Sequence, residues 1–81
     1  MELSARNRDI LDFERTWWTL PGSKEGGIRE QLGISRTRYY QLLNALLDEP
    51  AALVYDPLTV KRARRMRDHR RRTRIEGRRA K

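Results

Sequence analysis

Apolar residues recur along this chain at helical spacing, in short bursts separated by turn-forming residues. Ile10, Phe13, Trp17 and Leu20 lie three and four apart and make one stripe, which Leu11 and Trp18 widen. Ser4 precedes them as an N-cap, so the pattern predicts a first helix running to about Leu20, with Arg6, Arg8, Asp12 and Arg15 on its other faces. Pro21-Gly22 ends it. Ser23 caps a second, short helix to about Leu32, with Ile28 and Leu32 as its apolar face. Gly26 and Gly27 weaken that helix, each by roughly 1 kcal/mol against Ala, and its start lies at Ser23 or at Gly27. Gly33 fits the left-handed position past a helix end.

Ser35 caps a third helix, residues 36–48, in which Tyr39, Leu42, Leu43, Leu46 and Leu47 repeat at helical spacing. Asp48-Glu49-Pro50 stops it, and Pro50 opens one further turn through Val54. Asp56-Pro57 is a cap followed by proline at the first helical position, so a fourth helix begins there. Leu58, Ala63 and Met66 offer it a thin apolar seam. Past Arg67 the only large apolar residue is Ile75, so this helix is expected to leave the body and fray, with disorder by Gly77. Strand-like alternation and internal repeats are both missing from the sequence. The fold class expected is all-α: a three- to four-helix helix-turn-helix domain over residues 1–60, with an Arg-rich, partly helical extension over 61–81.

Charge changes the picture at the C-terminal end. The 81 residues carry 19 Lys plus Arg against 11 Asp plus Glu, a net charge of +8. Residues 1–60 hold seven basic and nine acidic residues; residues 61–81 hold twelve basic residues and two acids, Asp68 and Glu76. Such a block repels itself and prefers a polyanion to a core. With no cysteine there is no disulfide framework, thiolate metal site or Cys nucleophile. The longest apolar run is Ala51 to Tyr55, far short of the roughly 20 residues that span a bilayer. No secretory pattern opens the chain. These features predict a cytoplasmic protein associated with the nucleoid.

Residues 25–44 carry the functional signal. A helix-turn-helix wants apolar residues five and one before its turn glycine, and one, six and nine after it. Ile28, Leu32, Ile34, Tyr39 and Leu42 satisfy all five positions around Gly33. Arg29 departs from the pattern, standing where a small residue is usual. The second helix of such a pair enters the DNA major groove by its N-terminal end. Arg matches guanine O6 and N7, and Asn or Gln matches adenine, so Arg36, Thr37, Gln41 and Asn44 are the candidate base readers. Ser35, Arg38 and Tyr40 are assigned to phosphates. Lys61, Arg62, Arg64, Arg65, Arg67, Arg70, Arg71, Arg72 and Arg74 join them, because arginines on every side of a helix suit sequence-independent phosphate neutralisation.

The other candidate chemistries are thin. Trp17-Trp18 cannot be equally buried; one anchors the core, or an exposed one marks a protein interface. Glu14 reads as a surface residue or local ion-pair partner, and His69 as a surface residue. Asp9 and Asp12 lack a companion for acid–base work, and Gly26-Gly27 lacks the Lys-Ser/Thr of a phosphate loop. No enzyme, cofactor or metal is expected, and without an apolar face past Met66 no membrane partner is expected either.

Three runs carry a family resemblance: Ile10 to Trp18, Arg38 to Leu46 and Asp56 to Arg62. Together they resemble a family of short actinobacterial proteins of unknown function, over about residues 9 to 70. The resemblance implies a helix-turn-helix-like fold and supplies no site residues. Gly26-Gly27 and Ala63, often Leu in the family, depart from it and imply looser packing at the second and fourth helices.

The expected function is therefore non-enzymatic binding of double-stranded DNA, in transcription regulation or nucleoid association. A single module buries only roughly 600–1,000 Å² on DNA, which favours a homodimer through the exposed Trp or the fourth helix, or a large electrostatic share. Two rivals remain open: a protein-interaction module docking on transcription machinery, and RNA binding through the Arg-rich tail.

Overall fold

A computed structural model describes residues 3–79, with side chains placed through residue 73. Helix α1 (Ala5–Thr16) starts where Ser4 accepts a hydrogen bond from the Asn7 backbone N–H at 3.1 Å. A cap of this kind contributes about 1 kcal/mol. The helix stops four residues before Leu20, the end predicted from the stripe. Three side chains explain the stop by taking carbonyls that a continuing helix would use. The Thr16 hydroxyl donates to the Asp12 carbonyl at 2.8 Å, Trp18 Nε1 to the Arg15 carbonyl at 2.9 Å, and the Thr19 hydroxyl to the Thr16 carbonyl at 2.7 Å. A 3₁₀ turn (Trp17–Thr19) follows, and Leu20 stays outside the core.

Helix α2 (Lys24–Gly27) begins at Ser23, whose hydroxyl accepts from the Gly26 N–H at 3.0 Å. It runs into a π-helical turn (Ile28–Leu32) that ends at Gly33 with φ +67°. A side chain at that φ is strained, so glycine is required there. Gly27 has a packing role that the sequence reading treated only as weakness. A Cβ at this position would lie 3.0 Å from Cζ of the Phe13 ring. The missing methyl lets α2 close on α1. Arg29, the misfit of the motif, points to solvent beside Glu25.

Helix α3 (Arg36–Leu46) is capped by Ser35, which accepts from the Arg38 N–H at 3.1 Å, and it ends two residues before the predicted Asp48. Helix α4 (Pro50–Tyr55) is the expected extra turn. In α5 (Pro57–Arg79) Asp56 accepts from the Thr59 N–H at 3.3 Å, as its place before proline predicts.

The described residues form an all-α domain around one core: Ile10, Leu11, Phe13, Ile28, Tyr39, Leu43, Leu46, Leu47, Ala52, Val60 and Ala63. Helix α1 touches α3, α5 and the π turn, so it is the pillar of the bundle. The seam of α5 differs from the predicted one. Thr59, Val60 and Ala63 are buried, while Leu58 is 79% exposed and Met66 is exposed. A turn of about 100° per residue places 59, 60 and 63 on one side and 58 on the other. Ala63 is buried in the core and also lines the groove between α3 and α5, at the place where the resemblance implied looser packing. The helix also continues through Arg79, past the predicted fraying point, because arginine is a good helix former. Core residues lie on both sides of residue 60, so the change in charge there is not a break in packing.

Candidate nucleic-acid interface

The faces of α3 follow from its period. Tyr39, Leu43 and Leu46 point into the core. Thr37, Arg38 and Gln41 lie on the opposite side and are exposed. Arg36, Tyr40 and Asn44, at i, i+4 and i+8, form a flank between these faces. That flank is turned towards α5. The Asn44 backbone carbonyl accepts from Arg67 Nη1 at 3.4 Å, and the guanidinium of Arg70 stands 5.6 Å from the Tyr40 ring centre. Arg36 covers the same ring at 5.9 Å. The four candidate base readers therefore separate: Thr37 and Gln41 face outward, Asn44 lines the α3–α5 groove, and Arg36 lies over the Tyr40 ring. Of the candidate phosphate ligands on this segment, Arg38 faces outward, Tyr40 is half-buried under cations, and the Ser35 hydroxyl caps the helix.

Helix α5 lies antiparallel against α3, since Arg64 meets Leu47, Arg67 meets Asn44 and Arg70 meets Tyr40. Three of its arginines are fastened to the body. Arg62 Nη2 donates to the Glu14 carbonyl at 3.1 Å, and Arg64 Nε donates to the Leu47 carbonyl at 2.7 Å. Arg67 adds Asp48 Oδ1 at 3.4 Å to its bond with Asn44. Glu14 and Asn44 lie in the last turns of α1 and α3, and Leu47 is the C-cap of α3. Carbonyls there lack in-helix donors and carry the negative end of the helix dipole. A guanidinium supplies both a donor and a charge, so arginines that read as phosphate ligands act here as helix-end caps.

The remaining candidates stay at the surface. Lys61, Arg65, Arg70, Arg71 and Arg72 are exposed and make no ion pair among the described residues. Arg70 and Arg71 line the groove beside α3, whereas Lys61, Arg65 and Arg72 share the outer side of α5. The side chain of Arg74 lies outside the described ones.

A buried polar centre behind this surface escaped the sequence reading. Glu14 is buried, its carboxylate 2.9 Å from Lys24 Nζ, and the Tyr39 hydroxyl donates to it. Lys24 Nζ also lies 5.1 Å from the ring centres of Trp17 and Tyr40 and 5.5 Å from that of Tyr39. Burial, followed by the Glu14 charge and the hydrogen bond to it, pushes the Tyr39 hydroxyl well above the usual tyrosine range. The centre ties α1, α2 and α3 together and fixes Tyr40 beside it. One signal for a docked arginine was present in the sequence: Arg67 continues the spacing of Val60 and Ala63, at three and four residues.

The two exposed-apolar expectations divide. Trp17 is half-buried and packs on the core, while Trp18 is 63% exposed. Val54, 83% exposed, and Leu58 flank the α4–α5 junction. Among the described residues no helix is long and apolar enough to cross a membrane, and no group of three His, Asp or Glu could hold a metal.

Residues 2–75 match the family described as protein of unknown function (DUF3263), and the chain belongs to that family. Neither a curated protein nor a solved structure matches the chain.

Proposed function

We propose that this DUF3263 chain binds double-stranded DNA, reading bases with the outward face of α3 and holding phosphates with the free arginines of α5. The observation that carries the reading is the placement of Arg70 against Tyr40, at the middle of α3, with Arg71 in the same groove. A recognition helix needs cations at its rim, where the phosphates flanking the major groove pass. In this reading Thr37, Arg38 and Gln41 enter the groove. Arg36, Arg70 and Arg71 meet the backbone, and Lys61, Arg65 and Arg72 extend the positive field along α5. Arg62, Arg64 and Arg67 hold α5 in place instead of touching DNA. The role that follows is transcription regulation or nucleoid association in the cytoplasm.

Truncation after residue 60 is an unsuitable test, because it removes Ala63 from the core. The full chain is titrated instead into random duplex DNA at about 50 and 200 mM salt, by fluorescence anisotropy. Neutralising six or more phosphates predicts a loss of roughly 10³ in affinity between the two. Binding too weak to detect at the lower salt sinks the proposal. Selection of preferred sites follows, where Thr37→Ala and Gln41→Ala relax the preference and Arg72→Ala leaves it unchanged.

The protein-docking alternative has its own support in exposed Val54, Leu58 and Trp18. A partner retained after nuclease treatment, and lost with Val54→Asp, favours it.

A further inference from the structure

The ring of Tyr40 collects cations from three helices. Lys24 Nζ of α2 lies 5.1 Å from its centre, the Arg36 guanidinium of α3 lies 5.9 Å away and the Arg70 guanidinium of α5 lies 5.6 Å away. All three fall within the roughly 6 Å over which the negative face of an aromatic ring attracts a cation. Lys24 has the Glu14 carboxylate at 2.9 Å as its counter-charge. Arg36 and Arg70 have no carboxylate within ion-pair distance among the described residues, so the ring is the electron-rich group that offsets their repulsion. Among the described residues it is the one ring that meets an arginine from both α3 and α5.

The ring is itself held from the core. Tyr39 is fully buried and meets Tyr40 edge-on, with ring centres 5.2 Å apart and planes at 86°. The Tyr39 hydroxyl is anchored in turn on Glu14. Arg36 stands one helical turn before Tyr40, so their contact is local. Arg70 comes from the opposite helix, so its contact exists only in the folded chain. An arginine that is ordered before a ligand arrives loses less freedom on binding than one that must be ordered by it.

We propose that Tyr40 is a positioning residue: its ring, and not its hydroxyl, holds Arg36 and Arg70 together as a preformed pair beside the recognition helix. The role rests on the DNA reading for its purpose, but it adds to that reading a residue that acts without touching the duplex. It also reassigns Tyr40, whose hydroxyl the sequence gave to a phosphate.

The test compares Tyr40→Phe and Tyr40→Leu in the full chain, with urea midpoints to confirm folding. By NMR, the Hδ signals of Arg36 and Arg70 are expected to be displaced by the ring in wild type and Tyr40→Phe, and to join those of solvated arginines in Tyr40→Leu. In anisotropy titrations with duplex DNA, Tyr40→Phe should bind as wild type does. Tyr40→Leu should lose about tenfold, the order of two long side chains left to be ordered on binding. In an Arg36→Ala/Arg70→Ala background, Tyr40→Leu should cost less than about twofold further, because the ring has nothing left to position. A tenfold loss in that background assigns Tyr40 a merely structural role and overturns the proposal. Duplex binding that falls with Tyr40→Phe, or Hδ signals that ignore Tyr40→Leu, also overturns it and leaves the DNA reading standing. Ring-displaced signals without any duplex binding by wild type overturn the DNA reading, and with it the purpose of the pair.

Discussion

The near and far parts of α5 are built from the same residue and do different work. Between Arg62 and Arg67, three guanidinium groups reach back to carbonyls at the ends of α1 and α3. From Arg70 to Arg72 the guanidinium groups remain at the surface without a carboxylate partner among the described residues. The difference comes from the neighbour, not from the residue. Where α5 passes a helix C-terminus, an unpaired carbonyl gives arginine a better partner than water. Further along it passes Tyr40, at the middle of α3, and the last-turn carbonyls of that helix are behind it. An arginine count therefore overstates the charge available to a polyanion.

The strongest way to sharpen this contrast is at the innermost cation. Lys24→Met strips the buried Glu14 carboxylate of its counter-charge while keeping an apolar stem. Breaking a buried pair from one side costs about 3–5 kcal/mol. Urea denaturation should show the domain unfolded or nearly so, and wild-type stability in this variant would remove the centre from the account. At intermediate depth, Arg64→Ala leaves the Leu47 carbonyl without its donor. The expected loss is about 1–3 kcal/mol by the same measurement.

A third prediction concerns alkaline pH. Tyr39 holds its proton more tightly folded than unfolded, because burial and Glu14 raise its folded value. Below about pH 10 both states are protonated and Tyr39 adds no pH dependence. Above it the unfolded tyrosine ionises first, the unfolded state binds fewer protons, and stability falls by about 1.4 kcal/mol per pH unit. Urea midpoints at pH 9 and pH 11 should converge in Tyr39→Phe relative to wild type. Equal pH dependence in the two proteins would contradict the burial of the hydroxyl. The smallest stability effect belongs to the outer arginines. Arg70→Ala should change stability by no more than about 0.5 kcal/mol while weakening duplex binding. Were it as destabilising as Arg64→Ala, the two parts of α5 would not differ as described.

Much of the fold was legible because it is encoded locally. Ser4, Ser23, Ser35 and Asp56 each accept the backbone bond that their position predicts. Gly33 has the positive φ that its place after a helix requires. The candidate site was less legible. Periodicity placed Arg36, Thr37, Gln41 and Asn44 on one helix, but only the approach of α5 assigns Asn44 to a groove and leaves Thr37 and Gln41 facing out. Glu14 looked like a surface acid because its partners, Lys24 and Tyr39, are ten and twenty-five residues away.

The sequence alone determined the helices, their caps, the turn glycine and the concentration of positive charge at one end, since each depends on residues within a turn or two of one another. Only the tertiary structure decided which charges were used. A guanidinium chooses between a carbonyl, a carboxylate and solvent according to what packing brings within about 3 Å, the range of a hydrogen bond. That choice separated Arg64 from Arg70, gave Gly27 its role against Phe13, and buried Glu14.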